Sequence, residues 1–331
     1  MKRLKTYSPY KYLCSKQLNL SDFGLEPVEN CVRKFLKDCK NNIKPVNLFK
    51  FIEFTFNTVK MVLNDYSSYY SNHIYTQPKL FTILAIKIYT NCTYRELTDL
   101  LELSDKLKDY LGLKKIPHFT TIQKFFKRIP TKVINDFMDL ILSKHELKCE
   151  IISMDGTGFT NDYADKYYAK IRNKEWKSYV KYHATIDVET RLILHQSAQR
   201  GPRYDTKFAL AAIRGVKKYK PHYILADRAY DTELIRKCIN EETGAFDQIP
   251  IKTRAKTGHY RLNSPTIFRP VVYSKRNNSE SVFSVMKRKF DGTNHSRSLI
   301  MSIKETKLKG LIYNIYRTIQ ISYKNEGFYK A

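Results

Sequence analysis

Apolar residues change their spacing once along this chain, near Cys149, and that change limits what the chain can fold into. From Val46 to about Ser143 they recur at three- and four-residue steps, as in Leu48, Phe51, Ile52, Phe54, Phe56, Val59 and Val62. That is the spacing of one face of an α-helix. Lys79 to Tyr89 predicts a second helix and Tyr94–Leu101 a third. Thr93 is placed to cap the third, with Glu96 completing a capping box. Thr120 or Thr121 is expected to cap a further helix that turns Gln123, Lys124, Lys127 and Arg128 outward, and Pro130 ends that helix or begins the next. A helix-turn-helix fits residues 94–129, and so does plain helix packing. Residues 1–45 are basic and mixed, with one helix expected near Glu29–Lys40.

Beyond Cys149 the pattern becomes that of short strands. Cys149–Met154 predicts a buried strand ending in Asp155-Gly156. Tyr179–Ile186 and Leu192–Ser197 predict a hairpin around the polar turn 187–191. His222–Ala226 and Gln248–Lys252 predict two more strands. Between them lie helices from Asp205 to about Val216 and from Asp231 through Ile239, each with its aspartate as N-cap. Residues 253–272 read as a loop, Ser279–Phe290 as a helix ended by Asp291-Gly292, and Lys304–Ser322 as a last helix. The fold class is therefore α/β, a mixed sheet flanked by helices and preceded by an all-α region. The expected domains are 1–145 and 146–331.

Charge narrows the function. The chain of 331 residues holds 59 Lys and Arg against 32 Asp and Glu, a formal net charge of +27. Such an excess points to a polyanion, with nucleic acid ahead of an anionic membrane, and solubility alone as the bland alternative. No stretch has the roughly 18 unbroken apolar residues of a membrane helix, and the N-terminus lacks the pattern of a secretory signal. The six cysteines are scattered without a CxxC pair, so reduced thiols in a cytoplasmic protein are the expectation.

Three carboxylates stand out. Asp155 and Asp227 each end a predicted strand, where an α/β sheet can bring distant residues together. Glu280 lies on the helix that follows. At about 100° per residue Arg276, Glu280 and Lys287 fall on one stripe, joined by Tyr273 if the helix reaches back that far. Val282, Val285, Met286 and Phe290 fall on the opposite arc. A solvated salt-bridge stripe would look the same; the companion aspartates favour a site. Hard oxygen ligands suit magnesium, and two such ions can activate an attacking oxygen while stabilising the departing one. Asp187 reads as a turn residue, Asp162 and Asp165 lack a matching partner, and His183 and His195 read as packed or surface groups. Trp176 suits burial or stacking on a flipped base.

Tyr273-x2-Arg276-x3-Glu280-x6-Lys287 resembles the Tyr-Arg-Glu-Lys signature of one branch of the DDE transposases of insertion sequences. Asp155-Gly156 and Asp227-Arg228-Ala229-Tyr230 resemble the family's two aspartate segments, and residues 117–128 resemble the segment before its catalytic domain. The resemblance spans roughly residues 80–320. It implies a ribonuclease-H-like fold and a site in which Asp155, Asp227 and Glu280 hold two magnesium ions, or manganese in their place. It further implies contacts to DNA from Tyr273, Arg276 and Lys287, and double-stranded DNA partners at element ends and target. Lys124, Lys127 and Arg128 are the expected DNA-contacting cations of the N-terminal region. A homodimer in the synaptic complex and a prokaryotic, nucleoid-associated setting are also implied. The 53-residue interval from Asp227 to Glu280 (280 − 227) holds no large β-rich insertion, which leaves a hairpin intermediate open. Two rival readings are a nuclease of the same fold without strand transfer and a DNA-binding remnant of a mobile element. The intact carboxylate set argues against the remnant.

Overall fold

The computed structural model describes residues 46–162, 179–253 and 255–325. The helix expected near Glu29–Lys40, together with Asp165 and Trp176, lies outside the described residues. Contacts divide the chain into a compact unit, Leu48–Ile321, and a second one made of 1–47 and 322–331. The second is described only at residues 46–47 and in the final turn of the last helix. The description below concerns the first unit.

Six helices come first: α1 Leu48–Val59, α2 Gln77–Thr90, α3 Tyr94–Leu103, α4 Asp105–Leu111, α5 Phe119–Arg128 and α6 Thr131–Ser143. The apolar stripe of α1 is buried at Phe51, Ile52, Phe56 and Val59. The α3 capping box forms in both directions, with Thr93 Oγ1 accepting from Glu96 N at 3.2 Å and Glu96 Oε2 accepting from Thr93 N at 2.7 Å. The start of α5 differs from expectation. His118 is the N-cap, so Thr120 and Thr121 lie inside the first turn, and the Thr120 hydroxyl meets the His118 ring at 2.8 Å. Gln123, Lys124, Lys127 and Arg128 do face solvent.

A mixed sheet follows, with strands β1 Ile151–Asn161, β2 Tyr179–Asp187, β3 Ile193–Arg200, β4 Tyr223–Leu225, β5 Phe246–Gln248 and β6 Thr293–Asn294. The order is β3-β2-β1-β4-β5, with β6 pairing the far end of β1. The first three strands are antiparallel, while β4 and β5 run parallel to β1. This is the mixed sheet of a ribonuclease-H-like fold. Asp187 makes the hairpin turn, accepting from Thr190 N at 2.8 Å and from the Thr190 hydroxyl at 2.6 Å.

Each sheet face is covered. Met154, Ile224 and Ala226 pack on Ala209, Ala212 and Ile213 of α7 (Thr206–Val216), and on Ile235 and Ile239 from α8 (Glu233–Lys237) and the π-helical turns after it. After the short helices α9 (His259–Ile267) and α10 (Pro270–Ser274), α11 (Asn277–Lys289) packs on β1, burying Val282, Phe283 and Met286. The last helix, α12 (Leu299–Asn325), guards the edge strand β3: Asn314 accepts from Ile193 N at 2.9 Å and donates to Ile193 O at 2.8 Å. At Ile193 that side chain supplies the ladder bonds a further strand would make, which blocks pairing at that end of the edge. Lys304 of α12 donates to the carbonyls of Phe126, Lys127 and Ile129 at 3.1, 3.0 and 2.8 Å. Those are carbonyls that the end of α5 leaves without a partner inside the helix. No helix among the described residues is long and apolar enough to cross a membrane.

Three expectations are corrected. Residues 253–272 are largely helical, in α9 and α10. Gly258, Pro265 and Pro270 suggest a loop, but the Glu233 carboxylate accepts from Tyr260 N and Arg261 N and so caps α9 from a distance. The helix after residue 231 is capped by Thr232, which accepts from Ile235 N at 3.3 Å. Asp231 instead turns inward to two arginines. Asp205 stands at the N-cap position of α7 but makes no side-chain cap bond, because Lys181 holds its carboxylate.

Candidate active site

β1 runs on through Asp155 to Asn161, so Asp155 lies within a strand and does not end one. Nine residue pairs with β2 keep the strand extended across Asp155-Gly156. The parallel ladder with β4 stops earlier, at Ser153–Leu225. Asp155 therefore lies just past the end of that ladder, and Asp227 follows β4 on the same side of the break. Both residues thus lie beyond the carboxyl ends of parallel strands, the position at which open α/β sheets place ligands.

The Asp155 carboxylate accepts from Gly156 N at 2.8 Å, and the Ser279 hydroxyl donates to it at 3.3 Å. Arg276 Nη1 stands 3.4 Å from its Oδ2. Burial raises its pKa and the Asp227 charge raises it further, against the lowering effect of Gly156 N, Arg276 and Ser279. Asp227 accepts from Ala229 N at 2.8 Å, capping the 3-10 turn Arg228–Tyr230. That turn is fixed from below: Tyr230 is fully buried, with its hydroxyl 2.8 Å from His183 Nε2. Glu280 lies in the first turn of α11, its side chain 59% exposed, and accepts from Arg276 Nη2 at 2.7 Å. Arg276 thus bridges Asp155 and Glu280. Among the described residues no three Asp, Glu, His or Cys groups are close enough to hold a metal ion as they stand, and the Arg276 guanidinium lies between Asp155 and Glu280.

The signature residues do not share one helix. Tyr273 belongs to α10, its ring 5.3 Å from that of Phe268. Arg276 is the N-cap residue of α11 and donates its backbone N–H to Tyr273 O at 2.9 Å, which marks the tight turn between the two helices. Lys287 does not stand clear of the packed face. It is half-buried, with Nζ 5.8 Å from the centre of the Phe159 ring in β1. Its pKa is lowered by burial and by the nearby Lys181. Lys124, Lys127 and Arg128 lie on α5, whose exposed face is separate in sequence from these groups. Arg128 also helps to line a cleft of about 640 Å³ between α5 and the segment 66–77.

Asp162 has a partner after all, His295, at 3.5 Å. His183 is fully buried and His195 half-buried in the sheet, and burial leaves them with pKa values of about 3 and about 4. Sequence reasoning missed Lys181, Ser279 and the Tyr230–His183 contact. A lysine at an inward-alternating strand position and a serine one residue before Glu280 were the available signals.

No curated protein matches the chain. A family model, the transposase DDE domain, matches residues 147–315, from just before β1 to within α12 and over more than half of the 331 residues. The chain belongs to the DDE-domain transposase family.

Proposed function

We propose that the protein cuts DNA at the ends of an insertion element and joins those ends to target DNA, using divalent magnesium held by Asp155, Asp227 and Glu280. The observation that carries this is the placement of Asp155 in β1 and Asp227 after β4 beyond the end of the β1–β4 ladder, with Glu280 tied to Asp155 through Arg276. The donor set fits the ion. Magnesium takes a few carboxylate oxygens and fills its remaining positions with water and phosphate. Asp155, desolvated and repelled by Asp227, gains from any cation that replaces the guanidinium. When bound, such ions activate a water or a 3′-hydroxyl and stabilise the departing oxygen.

The chain's own residues do the rest. Arg276 is a planar donor suited to a phosphate as much as to a carboxylate, and on DNA binding it would exchange the one for the other. Lys287 and Tyr273 would contact phosphates on either side and fix the strand in line. Lys124, Lys127 and Arg128 would hold duplex further along, with two copies pairing two element ends in the cytoplasm of a prokaryotic cell.

The test uses duplexes carrying the inverted repeats that flank the coding region. Asp227→Asn should reduce magnesium-dependent cleavage by at least about a hundredfold, because even groups outside a metal's ligand shell are worth 10–100-fold. Binding to the same duplex should stay within about threefold of wild type, since phosphate contacts carry the affinity. Unchanged cleavage in the variant would overturn the assignment, and so would a wild-type protein that binds the ends without cutting them.

A further inference from the structure

The edge of β1 away from β2 has a gap in its pairing. β4 pairs with β1 no further than Ser153, and β6 takes up only at Thr160. Between them no described strand covers that edge, so DNA crossing it meets both faces of the sheet. Successive side chains of a strand point to opposite faces. Asp155 meets Ser279 and Arg276 on the α11 face. Gly156, the next residue, looks to the α7 face, where a Cβ would run into the Asp205 carboxylate. The connection from β3 to α7 therefore borders the gap from the face opposite α11.

That connection is held at three points. Gly201 N donates to Tyr179 O at 2.8 Å, Lys181 donates to Asp205 Oδ2 at 2.9 Å, and Lys207 N donates to Tyr204 O at 3.1 Å. Arg203, Tyr204 and Lys207 stand out from it into solvent, with Tyr204 82% exposed. The Tyr204 ring and hydroxyl have no partner among the described residues, and neither cation has a carboxylate there. Arg203 reaches only the Gln199 amide oxygen. The one acid between Glu189 and Asp227 is Asp205, and Lys181 neutralises it. A single exposed apolar side chain is ordinary. A tyrosine set between two unpaired cations beside a DNA-cutting site matches how proteins hold bases whose faces are free, with cations along the backbone and a ring under the base. Inside a duplex both faces of every base are stacked. A strand end exposes one, and the proposed reaction makes strand ends beside Asp155.

We propose that Tyr204 stacks on the exposed face of the terminal base at the DNA end left by cleavage, and that Arg203 and Lys207 hold the phosphates behind that base. This rests on the reading of the site as DNA-cutting. The β3–α7 connection then keeps the cut end beside the carboxylates.

Fluorescence anisotropy without divalent ions tests this on two duplexes of the flanking inverted repeat, one ending at the element's last base pair and one running on into flanking DNA. Tyr204→Ala should weaken binding to the ended duplex at least about fivefold, the low end of what a base–aromatic stack is worth, and leave the continuous duplex within about twofold. Tyr204→Phe should bind both as wild type does. Arg203→Gln and Lys207→Gln should each weaken both duplexes and flatten the plot of log K against log salt by about 0.9, one phosphate's worth. All four variants change exposed side chains and should keep the wild-type thermal midpoint, which separates lost binding from lost fold. An equal loss on both duplexes in Tyr204→Ala would make the ring a general contact and overturn the proposal, as would no loss on either. An unchanged salt slope in either glutamine variant would overturn it too. If wild type binds neither duplex in a salt-dependent way, the DNA-cutting reading fails first, whereas steep wild-type binding with an indifferent Tyr204 sinks this inference alone.

Discussion

Asp155 is a carboxylate held where the protein by itself does not favour its charge. Burial is the larger cause and Asp227 adds to it. A carboxyl whose pKa is higher in the folded state than in the unfolded one binds its proton more firmly when folded. Its ionisation therefore removes stability as pH rises from the usual carboxylate range through the raised folded value, and the loss is complete above that. At neutral pH in chelator, Asp155→Asn should accordingly raise Tm slightly, despite losing the contact to Arg276. Magnesium should reverse the order. A ligand that binds only the folded state stabilises it by about 2.7 kcal/mol at a hundredfold excess over Kd, and the variant should gain much less. Differential scanning fluorimetry with and without magnesium checks both. A variant less stable than wild type in chelator would make Asp155–Arg276 a structural ion pair and not a site awaiting a cation.

At the scale of elements, the segment after Asp227 is anchored by buried ions. Arg236 of α8 is fully buried and meets Asp231, Asp247 and the Ile249 carbonyl. Arg261 of α9 donates to Asp231 Oδ2 at 2.9 Å, and Lys252 N donates to the same oxygen at 2.8 Å. Two guanidinium groups and two carboxylates balance, and together they tie α8, β5 and α9 behind the Asp227 turn. Removing one partner of such a set leaves buried charge uncompensated, at a cost of about 3–5 kcal/mol. Arg236→Met should lose that much in urea unfolding at pH 7, and a loss below about 1 kcal/mol would mean water reaches the cluster. These contacts show what a sequence conceals. The helices of residues 48–143, the β2–β3 hairpin and the strand before Asp227 could be read because periodicity and capping are local. Arg236 near the end of a short helix looks like a solvated residue, since its partners lie five and eleven positions away on other elements. The course of β1 through Asp155, the helices within 253–272 and the burial of Lys287 against Phe159 all depend on partners far along the chain. The three carboxylates stand out in sequence because two follow apolar strand patterns and the third sits in a spaced motif; the guanidinium that links Asp155 to Glu280 depends on the folded chain.

For the whole molecule, the net charge of +27 makes acid a hazard, and two histidines in the central sheet sharpen it. His183 is held neutral by burial first, then by competition with His195 for a proton and by the Lys181 charge. His195 is held neutral by burial, then by Lys307 and Lys218, with Asp139 opposing. Their folded pKa values, about 3 and about 4, lie below the unfolded value of 6.5. The unfolded chain therefore takes up protons that the folded chain refuses, and stability present above pH 6.5 is lost as pH falls below it. Between pH 7 and pH 5 both stay neutral in the folded state while their unfolded counterparts protonate, which costs about 2 kcal/mol for each. The positive field of the remaining lysines and arginines opposes any further proton in the compact state. Urea unfolding followed by circular dichroism should thus show stability lower by about 4 kcal/mol at pH 5 than at pH 7, the sum of the two linkage losses. His195→Gln should lose only about half as much over the same range. A stability constant to within about 1 kcal/mol across that interval would mean that both imidazoles titrate normally in the folded protein, and the α7 face of the sheet would then have to admit water.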